Sequence, residues 1–449
     1  MTSLTRRSFL KTSTCAAGTA FAAPLIFSRR ALGADTAVKP GNRITMGFIG
    51  TGRQCLNANL PALLNEDDVQ VVAVCDADAW RMNFAREKVN AFYAERAPGG
   101  TYQGCAAMRD FRELLARRDI DAVMISTPDH WHVPMALAAV RAGKDVCCEK
   151  PLTRNVAEGR RLADLAAKEK RVFRTDSEFR SLGRFHHAAQ LVRNGRIGKL
   201  TRVITATPKD TALAMPAPMP VPPELDYDMW LGPAPEAPYT EKRVHPRHHT
   251  TARPGWITIR EYADGMIANW GAHLNDIALW GADLERTGPV TIAGTGTYPP
   301  AGNLWDVILD FSIDFTYASG LVLTCKTDSP YVRFEGTEGW IQVPFTGRSE
   351  ASHPDLLKWK PGPGDLVLPL KPSEKRDFLD AVHSRGNTLC DAEVGHRVTC
   401  LAHLGLTAVA LGRPLKWDPV KEEPVGNDTE ARALLKAKPA RAKWAKIGA

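Results

Sequence analysis

The chain has 449 residues, 44% of them hydrophobic and 24% charged, which is the composition of a globular protein with room for two domains. This composition excludes a disordered or purely fibrous protein. The 58 basic and 50 acidic residues leave a formal net charge of +8, but the excess is concentrated at the two ends of the chain, so we expect no nucleic-acid partner.

The first 34 residues predict an export signal. Arg6 and Arg7 precede a weakly apolar, Ala-rich stretch over residues 14–27, an arrangement typical of a twin-arginine signal peptide. That stretch is shorter than the roughly 20 residues that cross a bilayer, and no later segment qualifies as a span. We therefore expect export to the periplasm by the twin-arginine (Tat) machinery and no stable membrane anchor.

Residues 43–170 alternate short β-branched runs with helical stretches. Strands are predicted at residues 44–49, 69–75, 120–126 and 145–148. A βαβ series of this kind predicts an α/β domain with a doubly wound parallel sheet, the Rossmann arrangement. Pro61 falls inside the first predicted helix and should kink or shorten it.

Residues 171–417 predict a second domain of the α+β class. Nine prolines between residues 208 and 238 predict a long irregular connection. Strand runs at 201–207, 290–294, 307–317, 321–326, 332–335 and 340–343 predict an open, largely antiparallel sheet. Helices at 373–384 and 391–410 close the domain, and residues 418–449 remain as a basic C-terminal tail.

A glycine-rich turn follows the first predicted strand and opens the first helix. In Gly50-Thr51-Gly52-Arg53, Gly50 makes the turn and Gly52 lets the backbone approach a pyrophosphate at the helix N-terminus. Asp76 ends the second strand, 26 residues after Gly50, where it can accept a hydrogen bond from a ribose 2′-OH. We expect NAD as the cofactor, with Arg53 and Arg81 leaving NADP as the alternative.

Two further motifs end predicted strands at the carboxyl edge of the sheet, where ligands of doubly wound folds bind. The strand at 120–126 leads into Thr127-Pro128-Asp129-His130-Trp131-His132, and the strand at 145–148 into Glu149-Lys150-Pro151. The members of these motifs that we expect to contact the cofactor are Thr127, Pro128, His132, Glu149 and Lys150.

With Trp230-Leu231-Gly232-Pro233 and Trp270-Gly271-Ala272-His273, these motifs make the chain resemble the Gfo/Idh/MocA oxidoreductases, above all their exported twin-arginine branch. The resemblance implies an NAD(P)-binding domain, a substrate domain, and hydride transfer between nicotinamide and a carbon of a sugar or sugar derivative. It places Lys150 beside the substrate hydroxyl and makes His273 the proton acceptor or donor. Histidine has a suitable pKa for that task, and a lysine can stabilise a developing alkoxide.

The chain departs from the family pattern beside this histidine. Family members usually carry an aspartate where this chain has Asn269, so Asp276 is the candidate replacement as the partner of His273. We expect Arg180, Trp270 and His273 to contact the substrate. Asp176 and Glu178 stand where relatives tend to have glycine and glutamine, and they either change the specificity or are solvated surface residues.

Three histidines, His245, His248 and His249, lie close together in one loop. Neighbouring arginines and the lack of a paired carboxylate or cysteine argue against a metal site there, and we predict none. The expected partners are a small sugar or glycoside and a second copy of the chain in a homo-oligomer.

Two alternative functions stay open. One is a glycoside hydrolase or lyase in which tightly bound NAD transiently oxidises the sugar and is regenerated. The other is a sugar-binding protein that has kept the fold and lost catalysis, because Asn269 lacks the charge of a carboxylate. Net redox change separates the leading hypothesis from both.

Overall fold

The computed structural model describes residues 43–96, 104–445 and 447, so the predicted signal peptide lies outside the described residues. The first domain is built on six parallel strands in the order β3-β2-β1-β4-β5-β6. They are β1 Ile44–Ile49, β2 Val69–Cys75, β3 Ala106–Met108, β4 Ala122–Ile125, β5 Asp145–Cys148 and β6 Phe173–Thr175. All seven residues of β2 are buried, as expected for a parallel sheet covered on both faces.

Helices cover this sheet on both faces. They are α1 Leu60–Leu64, α2 Ala79–Arg96, α3 Phe111–Leu115, α4 His132–Arg141 and α5 Val156–Lys168. A π-helical turn, Cys55–Asn59, leads into α1, in which Pro61 occupies the first turn. Proline has no N–H to donate, so it fits the first turn of a helix. The kink or shortening that we predicted at Pro61 is seen as the π-helical turn just before it.

The predicted boundary at residue 170 between the two domains was wrong by one strand. β6 pairs in parallel with β5, with Thr175 opposite Cys148, and so completes the first sheet. Its three residues are too few to show a strand pattern in the sequence. A helix from late in the chain, α10 Glu374–Ser384, also contributes Phe378 and Leu379 to the core of the first domain.

The second domain has a nine-stranded sheet in the order β15-β14-β13-β7-β12-β11-β9-β16-β17. Only β7 and β12 pair in parallel; the other neighbours are antiparallel, as predicted. The strands are β7 Leu200–Thr207, β9 Thr291–Thr297, β11 Asp310–Thr316, β12 Val322–Thr327, β13 Tyr331–Gly336, β14 Gly339–Pro344, β15 Glu350–Ala351, β16 Leu415–Asp418 and β17 Glu423–Pro424. A separate pair joins β8 Leu213–Ala214 to β10 Asn303–Trp305.

Helices cover one face of this sheet. They include α6 Gly183–Arg193, α9 Gly271–Ala282 and α11 Ala392–Leu411, while α7 Tyr227–Leu231, α8 Met266–Asn269 and α12 Thr429–Leu435 are short. Buried and more exposed residues alternate along β11, as expected for a strand that packs one face on the core. Among the described residues, α11 alone is long and apolar enough to cross a bilayer, whereas we expected no such segment. However, 72% of its most apolar 18 residues are buried in the core.

The proline-rich connection is irregular, as predicted, and it returns to the first domain. Ala79 donates from its backbone to the Glu224 carbonyl at 2.9 Å, and Asp226 donates to the Ala77 carbonyl at 2.9 Å. These bonds hold the connection beside the end of β2. The connection therefore forms one wall of the cleft between the two domains.

The C-terminal segment is folded onto the body, so the prediction of a tail was wrong. Trp444 is only 3% exposed and packs edge-on against Trp131, with ring centroids 5.4 Å apart. Arg441 and Lys443 both bind the Asp228 carboxylate. The basic residues that suggested a solvated tail are thus partly used in ion pairs that anchor the segment.

Candidate active site

A cavity of about 390 Å³ lies between the carboxyl edge of the first sheet and the second domain. The first domain contributes the residues that follow β1, β2, β4 and β5; the second contributes a loop around residues 252–257 and the start of the helices α8 and α9. Predicted site residues that line the cavity are Gly50, Gly52, Arg53, Asp76, Thr127, Pro128, His132, Glu149, Lys150, Asn269 and Trp270.

The glycine turn fits a pyrophosphate. Gly50 has a φ of +87°, and a Cβ there would lie 2.7 Å from the backbone of Ser126 and Thr127. Beside Gly52 the space is open, with nothing within 4 Å of an added Cβ. The first N–H groups of a helix have no partner inside the helix, so they can donate to phosphate oxygens here. The turn therefore suits the diphosphate of NAD.

Asp76 closes the turn from the second strand. Its Oδ2 accepts from the Thr51 backbone N–H at 2.6 Å and from the Thr51 hydroxyl at 3.0 Å. Burial, followed by the negative charge of Asp78, raises the pKa of this carboxyl. Thr51 is fully buried, so it holds Asp76 in place and does not itself face the cavity.

The two arginines considered for NADP line the cavity and also bind a loop beside it. Arg81 is 3% exposed and donates from Nη2 to the His249 carbonyl at 2.8 Å. Arg53 donates from Nε to the Thr251 carbonyl at 2.9 Å. Both side chains therefore fasten the loop that borders the cavity. The Asp76 carboxylate at the end of β2 favours NAD over a 2′-phosphorylated cofactor.

His132 joins the ends of two strands. Its Nδ1 lies 2.7 Å from the Pro151 carbonyl and its Nε2 lies 2.9 Å from the Thr127 carbonyl. Burial lowers the pKa of this imidazole to about 4, so at neutral pH the ring is uncharged and donates to one carbonyl at a time. Through Pro151 the ring fixes the turn that carries Lys150.

Lys150 is half-buried and lines the cavity beside two buried carboxyl groups. Glu149 accepts from Asn59 Nδ2 at 2.9 Å, and burial and then the charge of Asp176 raise its pKa to about 7. Burial likewise raises the pKa of Asp129, which also lines the cavity, to about 8. Sequence reasoning missed Asn59, because 90 residues separate it from the Glu149 that it orients.

His273 lies beside this group. Its ring stacks on Phe179 with centroids 4.5 Å apart and planes 13° apart, and its Nδ1 is buried without a hydrogen-bond partner. Burial, reinforced by the charge of Lys150, lowers its pKa well below the usual value, so the neutral ring can accept a proton. Asn269 lines the cavity, and in the described part of the chain it forms no hydrogen bond to His273.

Asp276 and Arg180 form a buried ion pair, which corrects two predictions. Asp276 is 0% exposed and accepts from Arg180 Nε at 3.0 Å and from the Ser177 hydroxyl at 2.9 Å. Arg180 is 1% exposed and also binds Glu285 at 2.7 Å. Asp276 therefore does not partner His273, and the Arg180 guanidinium is not available to a substrate. Both residues instead fix the segment that carries Phe179.

The two acids that depart from the family pattern have different surroundings. Asp176 is buried and forms an ion pair with Lys375, which is 2% exposed and comes from the start of α10. Its role is to join the two parts of the chain. Glu178 is half-buried, and none of the described residues donates a hydrogen bond to its carboxylate.

The three loop histidines have separate partners. His245 lies 2.9 Å from Asp78, and His248 lies 3.1 Å from Glu224. His249 Nδ1 accepts from the Ala252 backbone N–H at 3.0 Å. Over the described ranges, no three His, Cys, Asp or Glu side chains are grouped so that they could hold a metal ion.

The residues at this site provide the chemical groups for binding a dinucleotide and for moving a proton. Its glycine turn and Asp76 suit a dinucleotide, and Lys150 presents a positive charge to the same cavity. His273 is not among the residues that line this cavity, but its neutral ring has a free nitrogen and feels the charge of Lys150. A positive charge and a proton acceptor near a dinucleotide cavity are groups that the interconversion of an alcohol and a ketone requires.

Two family models match the chain. The Gfo/Idh/MocA model described as "Oxidoreductase family, NAD-binding Rossmann fold" matches residues 44–177, and the one described as "Oxidoreductase family, C-terminal alpha/beta domain" matches residues 211–446. The second match extends well beyond residue 417, in agreement with the folded C-terminal segment.

Among curated proteins, the chain is 40% identical over 169 residues to a dTDP-3,4-didehydro-2,6-dideoxy-alpha-D-glucose 3-reductase of Streptomyces violaceoruber, covering 36% of this chain and 44% of the relative. It is 37% identical over 129 residues to a glycosyl hydrolase family 109 protein of Saccharopolyspora erythraea, covering 28% of this chain and 27% of the relative. The chain thus spans less than half the length of these relatives.

Among solved structures, the fold is similar to that of the WlbA dehydrogenase from Bordetella pertussis in complex with NADH and UDP-GlcNAcA. The TM-score is 0.60 at 15% identity, and the likeness covers 84% of this chain and 99% of that one. This similarity extends through both domains of the fold.

Proposed function

The chain belongs to the Gfo/Idh/MocA family of oxidoreductases and carries its NAD-binding Rossmann domain, and from that premise we propose that it transfers hydride between bound NAD and a hydroxyl or keto carbon of a sugar or sugar derivative. The observation that carries the proposal is the meeting, in one cavity, of the dinucleotide turn at Gly50 and Gly52 with Lys150.

The residues divide the work as follows. Gly52 and the helix that follows it would hold the diphosphate, and Asp76 would accept a hydrogen bond from a ribose hydroxyl. NAD, when bound, supplies the hydride acceptor. Lys150 donates a hydrogen bond to the substrate oxygen and stabilises the negative charge that develops on it. His273, neutral because it is buried, takes the hydroxyl proton and returns it in the reverse direction.

The test is redox chemistry of the nicotinamide on the purified, NAD-loaded protein. A panel of neutral, amino and acidic sugars is added, and nicotinamide absorbance is followed together with the mass of the sugar product. A ketosugar formed in step with reduced nicotinamide supports the proposal. If no sugar or ketosugar changes the redox state of the nicotinamide, the proposal is wrong.

A second candidate is a glycoside hydrolase that oxidises its substrate only transiently. The 37% identity to a glycosyl hydrolase family 109 protein supports this candidate. Such an enzyme would release the aglycone from a glycoside with no net change in the nicotinamide. The same panel, extended with chromogenic glycosides, separates the two: free aglycone at constant redox state supports the hydrolase.

We propose further that the protein is exported to the periplasm by the Tat machinery, carries tightly bound NAD, and forms a homo-oligomer. Arg6 and Arg7 support export, and the Tat route moves folded proteins, so the cofactor can travel already bound. Replacing both arginines with lysine should retain the protein in the cytoplasmic fraction. The periplasmic protein should release close to one NAD per chain when denatured, and light scattering should give more than one chain per particle.

A further inference from the structure

Glu178 is a half-buried acid that interacts electrostatically with Lys150 and that the mechanism above does not use. β5 and β6 are adjacent parallel strands with Cys148 opposite Thr175. Lys150 follows the first of these residues by two positions and Glu178 follows the second by three, so both leave the sheet at the same edge. The two residues are therefore near enough for the positive charge of Lys150 to lower the pKa of the Glu178 carboxyl.

The segment that carries Glu178 is held rigidly. Ser177 and Arg180, on either side of it, both bind the buried Asp276 carboxylate of α9. Phe179 is stacked between the His273 ring at 4.5 Å and the Phe185 ring at 4.6 Å. With its neighbours fixed in this way, Glu178 has a defined position relative to Lys150 and His273.

Two features suggest that a ligand binds near Glu178 and His273. Glu178 and Lys150 form no ion pair with each other, and no described residue donates a hydrogen bond to the Glu178 carboxylate. The Nδ1 atom of His273, a residue only 8% exposed, is also without a partner. A buried polar atom without a partner is uncommon in proteins, and here it belongs to the ring that stacks on Phe179, the residue next to Glu178.

We propose that Glu178 determines the charge of the substrate: it accepts a hydrogen bond from a hydroxyl or ammonium group next to the reacting carbon and repels a carboxylate there. The proposal rests on the proposed function of the site. It makes the substrate a neutral sugar or an amino sugar and excludes uronic acids.

The surrounding charges agree with this selection. Burial, followed by the charge of the nearby Glu374, raises the pKa of Glu178, while Lys150 partly offsets the rise. A donor from the substrate would stabilise the carboxylate, whereas a second carboxylate would add to the repulsion. Lys375, which could balance these acids, is already paired with Asp176.

The size of the effect follows from Coulomb's law. Two like unit charges about 5 Å apart at an effective dielectric constant of about 20 repel strongly enough to change a rate or binding constant on the order of 10²-fold. We therefore expect kcat/KM for a neutral sugar to exceed that for the corresponding uronate by roughly 10²-fold.

The test compares the unmodified protein with Glu178→Gln, which removes the charge and keeps an acceptor oxygen. Kinetics and calorimetric binding are measured on the NAD-loaded protein with a neutral sugar, the amino sugar and the uronate of the same configuration. In Glu178→Gln, KM for the neutral sugar should rise several-fold, and the preference over the uronate should fall by roughly 10-fold or more. Thermal unfolding confirms that the variant is folded.

Two control variants accompany it. Asp176→Asn removes the neighbouring charge, but that charge is buried against Lys375, so it should lower stability and leave the neutral-to-uronate ratio unchanged. Glu350→Gln, at an exposed position in the edge strand β15, should change neither.

Equal use of neutral and acidic sugars by the unmodified protein would overturn the proposal, as would a ratio that Glu178→Gln does not alter. Failure of the proposed function has a different signature. In that case no sugar changes the redox state of the nicotinamide, and the calorimetric binding data alone then decide whether Glu178 selects charge.

Discussion

Removing the carboxylate of Asp276 separates a structural role from a catalytic one. The sequence favoured Asp276 as the partner of His273, whereas the structure pairs it with Arg180 and Ser177. In Asp276→Ala the Arg180 guanidinium remains, 1% exposed, with one charge partner fewer. We therefore expect a large loss of stability, together with a loss of order in the segment that carries Phe179.

The magnitude follows from the burial of the pair. Removing one member of a fully buried ion pair costs about 3–5 kcal/mol, because the other charge is left uncompensated. Glu285 lies 2.7 Å from Arg180 Nη1 and the Leu389 carbonyl also accepts from it, so the lower end of that range, about 3 kcal/mol, is expected. Asp276→Asn keeps part of the hydrogen bonding and should lose less.

The measurement is equilibrium unfolding in urea, followed by tryptophan fluorescence on the NAD-loaded protein. Asp283→Asn is the matched control, because it removes an exposed ion pair with Arg193 at the end of the same helix. The aspartate is 72% exposed, and asparagine tolerates the left-handed backbone conformation at this position. That control should change stability by no more than about 0.5 kcal/mol. If Asp276→Ala is as stable as the control and yet has lost turnover with its NAD content intact, the reasoning is refuted and Asp276 is catalytic.

Three more outcomes are expected. Lys150→Ala should lower kcat by roughly 10²-fold or more and keep its bound NAD, because the lysine acts on the substrate oxygen; turnover equal to that of the parent would remove it from the mechanism. Asn269→Asp should raise the pKa of His273 and move the acid limb of the pH–rate profile for oxidation to higher pH, because the more basic ring stays protonated up to a higher pH. A pH–rate profile that does not move, together with activity kept in His273→Ala, would exclude the histidine as the base. Gly50→Ala should abolish NAD binding, because its Cβ would lie 2.7 Å from the backbone after β4; NAD content like that of the parent would contradict the assigned turn.

The sequence was sufficient to predict the fold class of both domains, because the fold class depends on local patterns of residues. The βαβ series from residue 43, the glycine turn and the later alternating strands each depend on residues close in the chain. The residues after β1, β2, β4 and β5 could be expected to meet, since the carboxyl ends of parallel strands share one edge. Most of the predicted cofactor residues accordingly line one cavity.

What local pattern could not decide was which charged residues face that cavity. Asp276 and Arg180 are 96 positions apart, and Asp176 and Lys375 are 199 apart, so nothing in the sequence showed that each would find its partner in the core. The same is true of Trp444, whose docking on Trp131 turns a presumed tail into part of the fold. The packing of distant segments buried these charges in pairs and left Glu178 and His273 unpaired, because a buried charge is stable only where another part of the chain brings its counter-charge.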